Sequence, residues 1–394
     1  LLIYDYFINM EIIYDLVVIG GGISSSTFIA NILKQGFKGK IAVVEAGRGL
    51  GGRCSTRYRY KDKKLALNHG CPNFNINNDS KISSLDNFIK ELLDKKFIKN
   101  LDNSVFEIDE NYKFSKKYDN EFYLGNVYTS TSNMSKLVEN LINLYNSNNQ
   151  IDFYFETLIL KLNYQSQLWN ILSNKNKKII GKFLVCTSNL LLHKRSLKIL
   201  DVKEIPLREA INKSKNIKID EIIKCTNKQE YIKRVNFLIY TKKNSNLEGV
   251  FNKEIIHFLF NKKAQKDIGF ERIIFQKQLD NSLGIVIHTR DIESIIKKYD
   301  MEDSNILYQF ISNKLNSFLI KNNIIFDNLF LDDISRMNWR ASQPLGEGIP
   351  KRLQLCEEYN IGFCGDWIQL EGYGSVYGAI LSGLKLSNKF IKFC

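Results

Sequence analysis

The sequence predicts an α/β chain with a doubly wound parallel sheet, interrupted by an inserted mixed-sheet α+β domain. Three observations predict it. Leu16 to Ile19 is a continuous apolar run that ends in Gly20-Gly21-Gly22 and enters a helical pattern. A second apolar run, Ile41 to Val44, ends at Glu45 and is followed by Gly51-Gly52-Arg53. Far along the chain stands Phe363-Cys364-Gly365-Asp366-Trp367, before a glycine-rich turn and a helical stretch from Ser375. A strand, a helix and a second strand in that order make a parallel unit.

The first run has the look of a strand buried on both faces. Gly20 allows a tight turn, and Gly22 allows a ligand close to the backbone. The helix expected from about Ile23 to Gln35 carries Phe28, Ile29, Ile32 and Leu33 at three- and four-residue spacing, with Gly36 suited to its C-terminal end. Its first turn, with Ile23, Ser24 and Ser25, would offer free N–H groups and a positive dipole end to phosphates. Ser25 stands where the fingerprint has its third glycine. Glu45 lies near the distance at which an acidic residue holds a ribose hydroxyl. The pattern therefore predicts a dinucleotide site.

Downstream, residues 84–99 read as an amphipathic helix with Leu85, Phe88, Ile89, Leu92 and Leu93 on one side. Asn133 opens another helix that runs to about Tyr145. Ile151 to Leu162 is strand-like, and Phe183 to Thr187 reads as a buried strand. Further strands are expected at Ile255–Phe260, Ile273–Gln278 and Gly284–Thr289, with a helix around Ser304–Ile320. The nucleotide domain is assigned residues 10–75, 125–190 and 330–394. The inserted substrate domain is assigned 76–124 and 191–329.

Composition narrows the function classes. At 394 residues, with 44% hydrophobic and 12% aromatic residues, the chain can bury two cores. The net charge of +14 is spread along a Lys-, Asn- and Ile-rich sequence without a dense basic cluster, so no nucleic-acid partner is expected. No apolar run is long enough for a membrane span. The seven cysteines show no C-x-x-C pair, which removes zinc and thioredoxin-like readings and fits reduced thiols in the cytoplasm. His193, His257 and His288 lack metal-ligand spacing. The apolar start carries Asp5 and no basic lead, which makes it a poor signal peptide. Met10 is a candidate natural start.

The stretch from Glu45-Ala46-Gly47 through Gly51-Gly52-Arg53 to Arg57 resembles the second ADP-binding motif of the amine-oxidase superfamily of flavoproteins. Within it the chain most resembles the renalase-like branch of FAD-dependent NAD(P)H oxidoreductases. Asn68-His69-Gly70-Cys71-Pro72, Met337-Asn338-Trp339-Arg340-Ala341-Ser342-Gln343-Pro344, and Gly365-Asp366-Trp367 with Val376-Tyr377-Gly378-Ala379 carry that likeness. It implies a glutathione-reductase-like Rossmann domain and FAD. No cysteine or histidine stands where covalent members attach the flavin, and Tyr373 lies in that region, so non-covalent FAD is expected.

The resemblance also assigns roles. Gly20, Gly22, Glu45, Ala46, Gly51, Gly52 and Arg53 would hold the ADP half, and Leu158 would lend a backbone group to the adenine. Gly365, Asp366, Gly374, Ser375 and Val376 would close over the flavin, with Asp366 on a ribityl hydroxyl or orienting a pyrophosphate contact, and the N–H groups of Ser375 and Val376 on the N1–C2 side. His69, before Gly70 in the loop that passes the flavin, would steer or deprotonate a substrate. Trp339 and Tyr373 would wall a flat substrate, and His288 would face the site from the substrate domain. The implied reaction is hydride transfer from a reduced nicotinamide compound, with dioxygen as acceptor. An amine oxidase, a desaturase-type flavoenzyme and a catalytically idle FAD-binding protein remain open alternatives.

Overall fold

The computed structural model describes residues 12–60, 64–77, 80–101, 104–116, 125–211, 216–241, 253–289, 303–324 and 334–394. The candidate start at Met10 lies outside them. The first unit forms as its pattern demands: strand β1 (Ile13–Ile19), helix α1 (Ile23–Lys34), strand β2 (Ile41–Val44). β1 pairs in parallel with β2 on one side and with Lys178–Cys186 on the other. Ile151–Tyr154 extends the sheet beyond β2, also in parallel. The long strand Lys178–Cys186 forks. Its first half pairs with the antiparallel strand Leu168–Ser173, and its second half with the parallel strand Ile361–Phe363.

Alternation along β1 sorts its residues to two cores. Leu16 and Val18 face α1 and the last helix, Val376–Phe393, beside Phe28, Ile32 and Phe390. Val17 faces the opposite way, into a cluster with Trp169, Leu207, Ile222 and Trp367. A sheet covered on both sides is what a continuous apolar strand requires.

The second sheet has seven strands, in the order Ser335–Leu345, Glu230–Tyr240, Leu283–Thr289, Arg272–Lys277, Ile255–Phe260, Val105–Ile108, Phe114–Lys116. Its pairs are antiparallel except Ile255–Phe260 with Val105–Ile108, so the sheet is mixed. One face buries Phe237, Ile239, Ile273 and Ile285 against Leu307, Ile311, Leu315 and Phe318 of the helix Ser304–Lys321. The fold is thus a Rossmann-type domain joined to a mixed-sheet domain, as the sequence predicts.

Some expected boundaries move. The helix read at 84–99 runs only from Ser83 to Asp94. Lys96 takes a positive φ of 56°, and Phe97 N–H bonds back to Leu92 O, which turns the chain into the strand Ile98–Asn100. The single strand read at Ile151–Leu162 is two, broken at Glu156, whose φ is 51°. The domain assignment also shifts. Leu85, Phe88 and Leu92 pack with Leu137, Ile380 and Leu384, so the helix Ser83–Asp94 lies on the nucleotide domain, while Leu101 packs with Leu238 and Val286 of the second sheet. Leu191, Leu200, Leu207, Ile211, Ile219 and Ile223 pack on the nucleotide domain too, because their apolar side chains join the β1–Trp169 cluster. Conversely, Ser335–Leu345 is an edge strand of the second sheet.

Candidate functional site

The carboxyl ends of four parallel strands open into one cavity of about 820 Å³. Ile19 leads to Gly20, Val44 to Glu45, Cys186 to Thr187, and Phe363 to the loop that bears Asp366. Open α/β sheets bind ligands at this edge.

The phosphate loop is built from two glycine strings. Gly51 N–H donates to Gly21 O at 2.8 Å, which bridges Gly22 and Gly51 in parallel. Gly20 has φ +107°, and a Cβ there would collide with Thr187 Oγ1. A Cβ at Gly22 would meet no protein atom within 4 Å. The space over Gly22 is cavity, at the N-terminus of α1, where an anion is stabilised. Glu45 fixes the loop: Oε2 accepts from Gly21 N–H at 2.7 Å, and Oε1 from Gly47 N–H at 2.6 Å. Lone pairs remain on both oxygens for a ligand hydroxyl. This open glycine cradle with a flanking carboxylate fits the ADP half of FAD.

Ile23, Ser24, Ala46, Gly52, Leu158, Gly374, Ser375 and Val376 all line the cavity. Ser25 and Gly365 do not. Ser25 is fully buried and donates to Gly22 O at 2.7 Å. The close approach α1 needs comes from Gly383 of the last helix, where a Cβ would stand 2.7 Å from Ser24 O. Gly365 donates its N–H to Ser382 Oγ at 2.8 Å, which anchors the loop before Asp366.

Three expected contacts take a different form. Leu158 N–H donates to Asn174 Oδ1 and Leu158 O accepts from Asn174 N–H, at 3.1 and 2.8 Å. A hairpin partner thus occupies the backbone expected to face adenine, and Leu158 presents its side chain. Arg53 and Asp366 grip each other through two bonds of 2.5 Å, and Arg53 also donates to Ser342 O at 3.2 Å. Asp366 is buried, and such a bidentate pair is strong and directional. Ser375 N–H bonds to Gly372 O at 3.0 Å, while its side chain caps the helix through Gly378 N–H. Val376 is the first helical residue and lines the cavity.

His69 is buried and does not line the cavity; its neighbour Gly70 does. The imidazole stacks on Trp339 with ring centroids 5.4 Å apart, and Nε2 pairs with Ser55 Oγ at 3.1 Å. Burial, with Arg57 nearby, pushes its pKa down to about 4. The ring is neutral at pH 7 and sits behind the wall. His288 lines the cavity, buried, with its pKa pushed well below the usual value by burial. Its Nε2 donates to His69 O at 3.1 Å, since a carbonyl can only accept. Asn236 Nδ2 donates to the same oxygen. His69 and His288 therefore form one buried scaffold that holds Gly70 against the cavity.

The sequence reading named His288 and Trp339 but missed Arg234, Asn236 and Arg272 beside them on the second sheet. Register places Asn236 opposite His288, His288 opposite Arg272, and Arg234 opposite Trp339. Directly opposed residues share a face, and all five line the cavity. Glu271 accepts from Arg234 Nε and Nη2 at 2.6 and 2.9 Å, and from Arg272 Nη2 at 2.7 Å. The available signal was Arg234 and Asn236 alternating with Val235 and Phe237. Tyr231 and Tyr373 complete the wall. Burial pushes the Tyr231 phenol up to about 12 and raises Tyr373 as well. The Trp339 indole N–H is buried without a partner among the described residues.

Residues 18–92 match the family model of the NAD(P)-binding Rossmann-like domain. No curated protein matches the sequence. Among solved structures, a protein assigned as a protoporphyrinogen oxidase from Exiguobacterium sp. 255-15 is similar, with a TM-score of 0.60 and 9% identity. The match covers 95% of this chain and 98% of that one. A putrescine oxidase variant with redesigned cofactor binding is similar with a TM-score of 0.61 and 9% identity, over 98% of this chain and 100% of that one. At that identity the likeness concerns the fold, and it extends through both domains. Among the described residues, no helix is long and apolar enough to cross a membrane.

Proposed function

We infer that the chain is a FAD-dependent oxidoreductase that oxidises a reduced nicotinamide compound, with dioxygen as acceptor, as in the renalase-like branch it resembles. One observation carries the reading. A single cavity runs from the open cradle at Gly22 and the Glu45 carboxylate to the polar face of the second sheet. One end fits a dinucleotide, and the other leaves room for a second molecule.

When bound, FAD supplies the two-electron chemistry. The N–H groups at the start of α1 hold the diphosphate, and Glu45 holds the adenosine ribose. The N-terminus of Val376–Phe393 opens on the cavity beside Gly374 and brings its positive dipole end there. Trp339, Tyr231 and Tyr373 exclude water and give flat surfaces for a ring.

His69 and His288 are held neutral and bonded within the protein, so neither is poised as a general base. A dihydronicotinamide gives up a hydride with no proton to remove. The absence of a poised base in these two positions matches that donor better than a substrate needing deprotonation.

The test is an absorbance spectrum of purified protein before and after anaerobic NADH. The expected result is a yellow, acid-releasable flavin that bleaches with NADH and recovers in air. A protein that takes up no FAD on titration overturns the reading. Bleaching by amines alone moves it to the amine-oxidase alternative.

A further inference from the structure

The cavity wall holds four arginines, and three of them are matched by a carboxylate. Arg53 pairs with Asp366, and Arg234 and Arg272 share Glu271. Arg195 lines the same cavity and has no carboxylate partner among the described residues. It starts the short helix Arg195–Ile199, just after the strand Lys178–Cys186 reaches the cavity.

Arg195 is nonetheless held in place. Its guanidinium lies 4.0 Å over the Tyr231 ring, and Nη2 donates to Asn189 Oδ1 at 3.0 Å. Nε is buried with no hydrogen-bond partner among the described residues. Asn189 in turn donates to Gln229 Oε1 at 2.8 Å and to the Tyr231 hydroxyl. Tyr231 cannot act as counter-charge, because its phenol titrates near 12. A long, flexible arginine would ordinarily carry its charge out to water. Here an aromatic face and an amide hold it in a half-buried wall, where a lone charge is costly.

We propose that Arg195 is a specificity residue that receives an anionic group of the substrate, a carboxylate or a phosphate. The planar fork suits either anion. Its charge opposes an amine cation in the same compartment, so the preference should separate anionic from cationic substrates. The proposal deepens the flavin reading by assigning the substrate's charge. It rests on that reading only for the identity of the molecule that shares the cavity.

The test is calorimetric titration of the FAD-loaded and the flavin-free protein with benzoate, phenyl phosphate and benzylamine. At least one of the two anions should bind ten-fold or more tighter than benzylamine. The tighter of the two identifies the anion, and either result supports the proposal. Arg195→Met should erase the preference, and Arg195→Lys should keep part of it, with FAD affinity changed less than three-fold in both. If Arg195→Met does not fold, the wild-type preference and the Lys variant decide. Equal binding of anions and amine, or no detectable binding of either anion, overturns the proposal. So does a preference that survives in Arg195→Met. A loss of FAD affinity in these variants also overturns it, because Arg195 would then hold the cofactor. A protein that takes up no FAD but shows the Arg195-dependent preference would sink the flavin reading and leave this one standing.

Discussion

Adding one methyl group at Gly22 and one at Gly20 should separate binding from folding. At Gly22 the new Cβ meets no protein atom within 4 Å, and the backbone, at φ −95°, is open to any residue. Gly22 is the helix N-cap without a side-chain bond, so alanine should cost the fold no more than about 1 kcal/mol. The methyl instead fills the space where a diphosphate approaches the backbone. Overpacking of that kind costs about 1–3 kcal/mol, or roughly 5- to 150-fold in FAD affinity. At Gly20 the same methyl must adopt φ +107° and displace Thr187 Oγ1, which donates to Ile19 O. A left-handed backbone costs about 1–2 kcal/mol, and the clash adds about 1–3 kcal/mol. Gly20→Ala should therefore lose about 2–5 kcal/mol of fold stability. Urea melts of the flavin-free proteins give the stability term, and FAD titration gives the affinity. Equal FAD affinity for Gly22→Ala and wild type would refute the cradle. A Gly22→Ala protein as destabilised as Gly20→Ala would refute the division of roles.

Glu45→Gln should weaken FAD binding by roughly 1–3 kcal/mol, the range for charged hydrogen bonds. An amide also cannot accept from both Gly21 and Gly47, so the flavin-free protein should lose about 1 kcal/mol as well; an unchanged dissociation constant would place the carboxylate outside the ligand contact. His69→Gln should retain anaerobic reduction to within about tenfold, against the 10²–10⁴-fold loss on the order expected for a general base; collapse of reduction with FAD still bound would restore His69 to catalysis. Stability should fall in acid. The folded His69 titrates near 4 and the unfolded residue near 6.5, so below 6.5 the unfolded chain takes up a proton that the folded one refuses. The loss should build from pH 6.5 down to 4 and reach about 3 kcal/mol from His69. His257 and His288, also pushed down by burial, act in the same direction. Melting temperatures flat across that window would show these imidazoles to be solvated.

The nucleotide half was legible because its signals are local. A buried strand, a glycine turn and an amphipathic helix lie within a few residues of each other, and Glu45 follows at the next strand end. What the sequence hid depends on contacts between distant segments. Arg53 and Asp366 read as two separate ligand contacts, yet 313 positions apart in the chain they bond each other. His69 read as a catalytic candidate from its loop, but only the fold shows Gly70 in the wall and the imidazole behind it. Arg272 and His288 needed strand register before they could be placed with Arg234 and Asn236. Arg195 carried no signal at all, since its partners Asn189 and Tyr231 belong to different domains' elements.

The two sheets divide the work for a physical reason. The parallel sheet is covered on both faces, so side chains on its strands are core and only its carboxyl edge can bind. The mixed sheet packs Ser304–Lys321 on one face, while the other buries Leu238, Ile274 and Val286 against Leu67, Leu101 and Val127 and turns only its end with Arg234, Asn236, Arg272 and His288 to the cavity. The glycine turns at the carboxyl edge of the parallel sheet are held by the first core, and changes there carry a folding cost, as at Gly20. On the second sheet the cavity residues Arg234 and Asn236 alternate with Val235 and Phe237, which face away into the second core. The fold is shared with proteins at 9% identity over both domains, and a shared fold leaves the chemistry of a site open.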